Sequence, residues 1–238
     1  MARVTIRQLG TLTEWTVQKH APRQGDKRTG NDRPARAHGT HAERAESNIS
    51  RAKRRIREIS LCNEWDWFAT LTIDPDKYNR TDLESYYKDF ADWLHRRADR
   101  GLAKVRYIVV PELHADKVSY HMHALLAGVP ADELGVVNGR LNWLPYYEKF
   151  GFSLLDPIED ATRCAMYMSK YITKDLGTAV QTNGQLYRAS KGLARGKVLA
   201  AHDDLTDADG YADALCAFEQ LPAKEWETDH VRKKTLCS

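Results

Sequence analysis

VRYIVVPELHADKVSYHMHALLAG, residues 105–128, holds two apolar runs, Val105–Pro111 and Ser119–Gly128, on either side of Ala115-Asp116-Lys117. Such runs around a turn-prone tripeptide predict an antiparallel hairpin. In a strand, residues two apart share a face, so His121 and His123 point the same way while Met122 points to the other side. A turn centred on Ala115–Lys117 brings Glu112 roughly opposite this pair. Two imidazoles and a carboxylate make a mixed nitrogen and oxygen site suited to Mg²⁺ or Mn²⁺, with positions left for phosphate oxygens. His114 shares the parity of Glu112 and is the rival third ligand, but it lies nearer the turn. Taken alone, His-x-His is a weak signal, because two histidines on one face are more often simply polar residues.

Working outward, residues 1–42 are rich in Arg, Gly, Pro, His and Gln and keep no sustained period, which predicts a mostly extended, basic arm over 1–44. From about Ala45 the period becomes helical, with Ile49, Ile56 and Ile59 on one side and Arg51, Lys53, Arg54, Arg55 and Arg57 around them. Trp65–Ile73 is β-branched and aromatic, hence a strand ended by Asp74-Pro75-Asp76. A helix follows, with Thr81 and Glu84 as its capping box and Leu83, Tyr86, Tyr87, Phe90, Trp93 and Leu94 at helical spacing. Residues 130–150 are expected to hold a helical stretch ending near Leu144-Pro145, then a loop. Phe152–Leu155 is a short strand. Asp156, Pro157 and Glu159 then predict a helix start, with the helix running to about Asp175. Gln185–Ser190 is a further candidate strand and Asp203–Ala217 a candidate helix, within a helical extension over 201–238. The order helix, β, α, β, β, (α), β, α is that of an α+β fold, a ferredoxin-like or RRM-like antiparallel sheet with packed helices.

Charge divides along the chain. Residues 1–60 carry 14 Lys and Arg against 6 Asp and Glu, net +8, leaving 22 against 27, or −5, for the rest. The basic quarter suits contact with a polyanion, although a solvated basic tail has the same composition. The four cysteines, Cys62, Cys164, Cys216 and Cys237, follow no paired spacing, so free thiols in a reducing compartment are expected. No apolar run is long enough to span a membrane and no signal-peptide pattern opens the chain, so a cytoplasmic location and no membrane partner are expected.

Tyr167, Lys170, Tyr171 and Lys174 fall on one stripe of the expected helix. Ala161, Cys164, Ala165, Met168 and Ile172 form a separate apolar stripe that can face the sheet. Phenols beside ammonium groups suit phosphate chemistry, since a phenolate attacks phosphorus and a nearby Lys lowers its pKa. Tyrosines four apart also occur as plain surface packing.

Three features in order resemble the motifs of HUH-type rolling-circle replication initiators. Phe68-Ala69-Thr70-Leu71-Thr72 resembles the first motif. Glu112 with His121-Met122-His123 resembles the second, and the doubled Tyr-x-x-Lys of 167–174 the third, in the two-tyrosine form of phage gene A and gene II initiators. The similarity runs from about Asn48 to Lys174. It implies an HUH endonuclease fold and domain, placed here at 45–200, that nicks single-stranded origin DNA in a bacterial host. Glu112, His121 and His123 would hold the divalent metal ion. Tyr167 or Tyr171 would form a 5′-phosphotyrosine link and leave a free 3′-OH, then rejoin strands. Lys170 and Lys174, both on the Tyr167 side of the stripe, would position phosphate, which favours Tyr167 where one tyrosine dominates. Thr70 and Thr72 would lie under the DNA, and Arg51, Arg54 and Arg55 would contact its phosphates. Nothing resembles a Gly-x-x-x-x-Gly-Lys-Ser/Thr loop, so a host helicase and polymerase are the expected partners. The competing readings are an HUH transposase or relaxase, an origin-binding repressor, and a non-catalytic single-strand-binding module stacking bases on Trp65 and Trp67.

Overall fold

The computed structural model describes residues 2–18, 41–172, 185–205, 210, 223–227 and 231–237. It divides into two units, residues 39–193 and residues 1–38 with 194–238. The chain opens with strands β1 (Ala2–Leu9) and β2 (Leu12–Gln18), followed by helix α1 (His41–Leu61), β3 (Trp67–Thr72) and α2 (Leu83–Asp99). Strands β4 (Arg106–Leu113), β5 (Tyr120–Ala127), β6 (Leu134–Val137) and β7 (Arg140–Trp143) come next. Then follow α3 (Leu144–Lys149), β8 (Ser153–Pro157), α4 (Ala161–Met168) and β9 (Arg188–Ala189). Strands β10 (Lys197–Leu205), β11 (Ala223–Glu227) and β12 (Val231–Cys237) close the order. Antiparallel sheets with packed helices make this the α+β class expected.

In the larger unit the sheet order is β8-β3-β5-β4-β9, with every pairing antiparallel. One face carries Ala69, Leu71, Tyr107, Val109, Met122, Ala124 and Leu126, and α2 packs there, its Phe90 ring 5.2 Å from that of Tyr107. Tyr86, Phe90, Tyr146 and Phe150 continue this core as an aromatic cluster, and the hydroxyls of Tyr86 and Tyr146 lie 3.0 Å apart. Burying each such side chain contributes roughly 1.5–3 kcal/mol. The opposite face carries Ile108, Val110 and Leu125, and at one end Glu112, His121, His123, Thr70 and Thr72. α4 and the 3-10 turn that follows it, Ser169–Tyr171, lie over this face, with α1 packed against both.

Local departures from the sequence expectation have identifiable causes. Residues 130–150 form a short 3-10 turn and the β6–β7 hairpin before α3 begins at Leu144. Asn138 and Gly139 take φ of 52° and 72°, the left-handed pair of a two-residue hairpin turn, and this outweighs the helical pattern. α2 is capped by Asp82, which accepts from Ser85 N at 3.0 Å, instead of by Thr81. β8 runs on through Pro157, so the following helix starts later, capped by Asp160, which accepts from Arg163 N at 2.9 Å. An edge strand tolerates a residue without an N–H. Gly151, at φ 138°, brings its backbone so close to Thr72 and Asp74 that a Cβ would lie 2.4 Å from Thr72 O. This approach seats the end of β3 beside the site.

The terminal unit is a second antiparallel sheet, ordered β10-β1-β2-β12-β11. Val4, Ile6, Trp15 and Val17 share one face and are buried. The extended arm expected over 1–44 is here a β-hairpin paired with strands from the far end of the chain. The extension expected to be helical over 201–238 contributes strands at 223–227 and 231–237. Val4 and Ile6 alternate with Arg3, Thr5 and Arg7 in a strand pattern, but their partners lie about 190 residues away, where no local period reveals them. The helix expected over 203–217 falls almost wholly outside the described residues.

Candidate metal and tyrosine site

The hairpin register decides the centre of the site. Glu112 is the direct cross-strand partner of His121, and Val110 that of His123. All three functional side chains therefore rise from the same face within two residues of one another. Asp116 shapes the turn below them, its Oδ1 accepting from Val118 N at 3.0 Å and Ser119 N at 2.9 Å. Lys117 adopts the left-handed conformation that closes it.

Nε2 of His121 and Nε2 of His123 each lie 2.7 Å from Glu112 Oε2, and 3.2 Å from each other. Adjacent ligands of an octahedral ion bound at about 2.1 Å are separated by about 3 Å. The donor set fits a divalent cation, and these three residues form the group that can hold one. His123 is 6% exposed. Burial pulls its pKa down to about 4 against the hydrogen bond to Glu112, so the ring is neutral and its lone pair available at neutral pH. Burial alone would raise the Glu112 carboxyl, yet the hydrogen bonds and charges of His123 and His121 together hold it below its ordinary value. His114, the rival ligand, is not one of the three converging groups. Its Nε2 stands 3.1 Å from His121 Nδ1, on the far side of that ring. Its pKa is lowered by burial, then by His121 and Arg80.

The two tyrosines are placed differently. Tyr171 ends the 3-10 turn, and its ring lies flat on that of His123, centroids 3.5 Å apart and planes 15° from parallel. Tyr167, in the last turn of α4, is 45% exposed and meets Tyr171 edge-on at 5.3 Å. Phe68 braces it from β3, 5.5 Å away. Lys170 sits over the Tyr167 ring, its Nζ 5.3 Å from the centroid, rather than beside Tyr171. The Tyr171 phenol is raised, first by burial, then by the hydrogen bond and charge of Tyr167 and the charge of Glu112. The lowering expected from a neighbouring Lys is not what its surroundings produce. Lys174 lies outside the described residues. Because the α-helix tightens into a 3-10 turn after Met168, the expected continuous stripe is broken between the two tyrosines.

Thr70 pairs with His123 across β3 and β5, and its Oγ1 lies 3.4 Å from His123 Nδ1. Thr72 pairs with His121 on the same face. Cross-strand parity in the first motif was the signal that could have linked these threonines to the histidines. Arg51, Arg54 and Arg55 are exposed on α1, with Arg55 also paired to Glu58 at 3.0 Å. Trp65 is buried and donates its indole N–H to Ser60 O at 3.1 Å, so it offers no exposed face for base stacking. Among the described residues, no helix is long and apolar enough to cross a membrane.

Residues 66–176 match the model of a replication-associated protein family, that of ORF2 and the gene II protein. The matched span contains the ligand group, both tyrosines and the strand that carries Thr70 and Thr72. It supports a replication-initiator role for the chain. No curated protein and no solved structure gives a significant match.

Proposed function

We propose that this chain is a rolling-circle replication initiator of the HUH type, a metal-dependent nickase and strand transferase acting on single-stranded origin DNA. One observation carries this reading: Glu112, His121 and His123 converge on one point, and the Tyr171 ring is stacked at 3.5 Å on one of them. A phenol and a cation-binding group side by side are the two elements a phosphoryl transfer to tyrosine needs.

A divalent cation, Mg²⁺ or Mn²⁺, would neutralise charge on the scissile phosphate and polarise its oxygens. The phenolic oxygen of Tyr171 attacks phosphorus and gives up its proton to solvent. A new bond forms between that oxygen and the 5′-phosphate, and the bond from phosphorus to the 3′ oxygen breaks. The departing 3′ oxygen takes up a proton and becomes the free 3′-OH that primes synthesis. Attack of a 3′-OH on the phosphotyrosine reverses these steps and rejoins strands. Tyr167, exposed beside Tyr171, is placed to make the second attack when an origin is regenerated, with Lys170 next to it to receive a phosphate. Arg51, Arg54 and Arg55 give α1 a basic outer surface next to the tyrosine turn, suited to the phosphates of a single strand. Thr70 and Thr72 line the floor below. Host helicase and polymerase in a bacterial cytoplasm are the proposed partners.

The test is a covalent adduct. Incubation with single-stranded origin-like oligonucleotides and Mn²⁺ should give a protein–DNA species that survives SDS. It should vanish with chelator and with His121→Ala. An adduct that persists in the Tyr167→Phe/Tyr171→Phe double variant would sink the nucleophile assignment.

A further inference from the structure

Both imidazoles turn the same nitrogen, Nε2, toward Glu112 Oε2, and so both leave Nδ1 facing away from the ligand point. A histidine that gives its Nε2 lone pair to a cation carries its remaining proton on Nδ1. That N–H needs an acceptor, and the acceptor sets the tautomer and the tilt of the ring. Behind His121 stands His114, Nε2 to Nδ1 at 3.1 Å, with the two rings edge to face at 4.6 Å. Behind His123 stands Thr70, Oγ1 to Nδ1 at 3.4 Å.

His114 is itself firmly seated. Its backbone N–H donates to Ser119 O at 2.9 Å and its carbonyl accepts from Lys117 N at 2.9 Å, so it sits where the hairpin closes. Its Nε2 is directed at the outer nitrogen of His121. It would have to leave that contact and cross the ring to reach the ion that His121 binds. The geometry therefore distinguishes a group that ligates from one that aims a ligand.

We infer that His114 is a positioning residue for the cation site, its Nε2 accepting the Nδ1–H of His121, and that the Thr70 hydroxyl serves His123 in the same way. The inference rests on the metal reading proposed above. It also changes what the hairpin's third histidine and the first threonine of the Thr70–Thr72 pair are for. The hairpin turn supplies ligand and orienter together, and β3 supplies the second orienter through its register with β5.

The experiment is a titration of the full chain with Mn²⁺ alone, read as loss of the free-ion EPR signal, alongside the thermal midpoint of each variant. His114→Leu should weaken Mn²⁺ binding by about 10–100-fold. His114→Gln keeps an acceptor and should stay within about threefold of the parent, whereas His114→Lys, which only donates, should behave like Leu. Thr70→Val, acting on the longer contact, should cost roughly threefold to tenfold. A Leu variant that matches the parent overturns the His114 assignment, and so does a Gln variant as weak as Leu. A Thr70→Val variant that matches the parent overturns the Thr70 half. If the parent binds no Mn²⁺, or binds it equally well after His121→Ala, the metal reading itself falls, and the inference with it. Should the Leu variant fold poorly, the contrast between Gln and Lys still decides the question, because both keep a polar chain at a partly exposed position.

Discussion

The β4–β5 hairpin and the segment from Ala161 to Tyr171 both feed the same site, but they are held by different kinds of interaction. In the hairpin, each site residue is paired across a ladder in the middle of a five-stranded sheet, with Met122 and Ala124 buried on the reverse face. Moving His121 or His123 would mean slipping a register that also carries the core. The tyrosine segment is eight residues of helix and three of 3-10 turn, anchored by Met168 and Ile172 and by ring contacts to Phe68 and His123. The cation site is thus set by backbone pairing, and the reacting phenol by a short element resting on it. For a protein that must hold a phosphate still while a covalent bond passes between chain and DNA, the sheet supplies the template. The more loosely tied segment supplies the group that becomes linked.

If that division is right, the two tyrosines should not be equivalent. Tyr171→Phe should reduce the first-nick adduct on the order of 10³-fold or more, and Tyr167→Phe should reduce it by no more than about tenfold while impairing strand transfer. Quantified adduct yield on a nicking substrate, against yield on a rejoining substrate, checks this. Equal loss from both variants would break the contrast.

The hairpin half is open to acid. In metal-free protein, His123 has its pKa pulled down to about 4 from an ordinary value near 6.5. The unfolded chain therefore takes up a proton first, and stability falls as pH drops from about 6.5 towards 4. Glu112, also lowered, loses its contribution in the same direction at lower pH. Thermal midpoints in EDTA should decline across this window, and His123→Gln should flatten the decline. An unchanged slope would mean that the buried imidazole does not govern the acid sensitivity of this region.

A smaller effect probes the anchoring of the tyrosine segment. Asp160→Ala removes the cap of α4 and should cost about 1 kcal/mol in urea unfolding, whereas Asp156→Ala should cost little, since Asp156 lies within β8. The reverse order would restore the earlier helix start that Asp156 and Pro157 suggest in sequence.

How far the chain could be read without its structure follows from the same contrast. Residues 105–128 are legible because their partners are near in sequence: a turn-prone tripeptide and a two-residue period settle register, face and ligand pairing together. The β6–β7 turn was equally local, and Asn138-Gly139 was the signal that an apparent helical period concealed. Three things lay beyond any local period. The pairing of β1 and β2 with β10 and β12 joins the two ends of the chain. The change from α-helix to 3-10 turn after Met168 separates the roles of Tyr167 and Tyr171. The approach of Thr70 and His114 to the outer nitrogens of the two histidines depends on side-chain directions that only a completed sheet defines. Sequence by itself determined which residues carry the chemistry, because alternation along a strand is a property of the backbone. Tertiary structure alone decided which of them ligates, which aims a ligand and which phenol rests on the site, because those roles depend on distances of about 3 Å between atoms far apart in the chain.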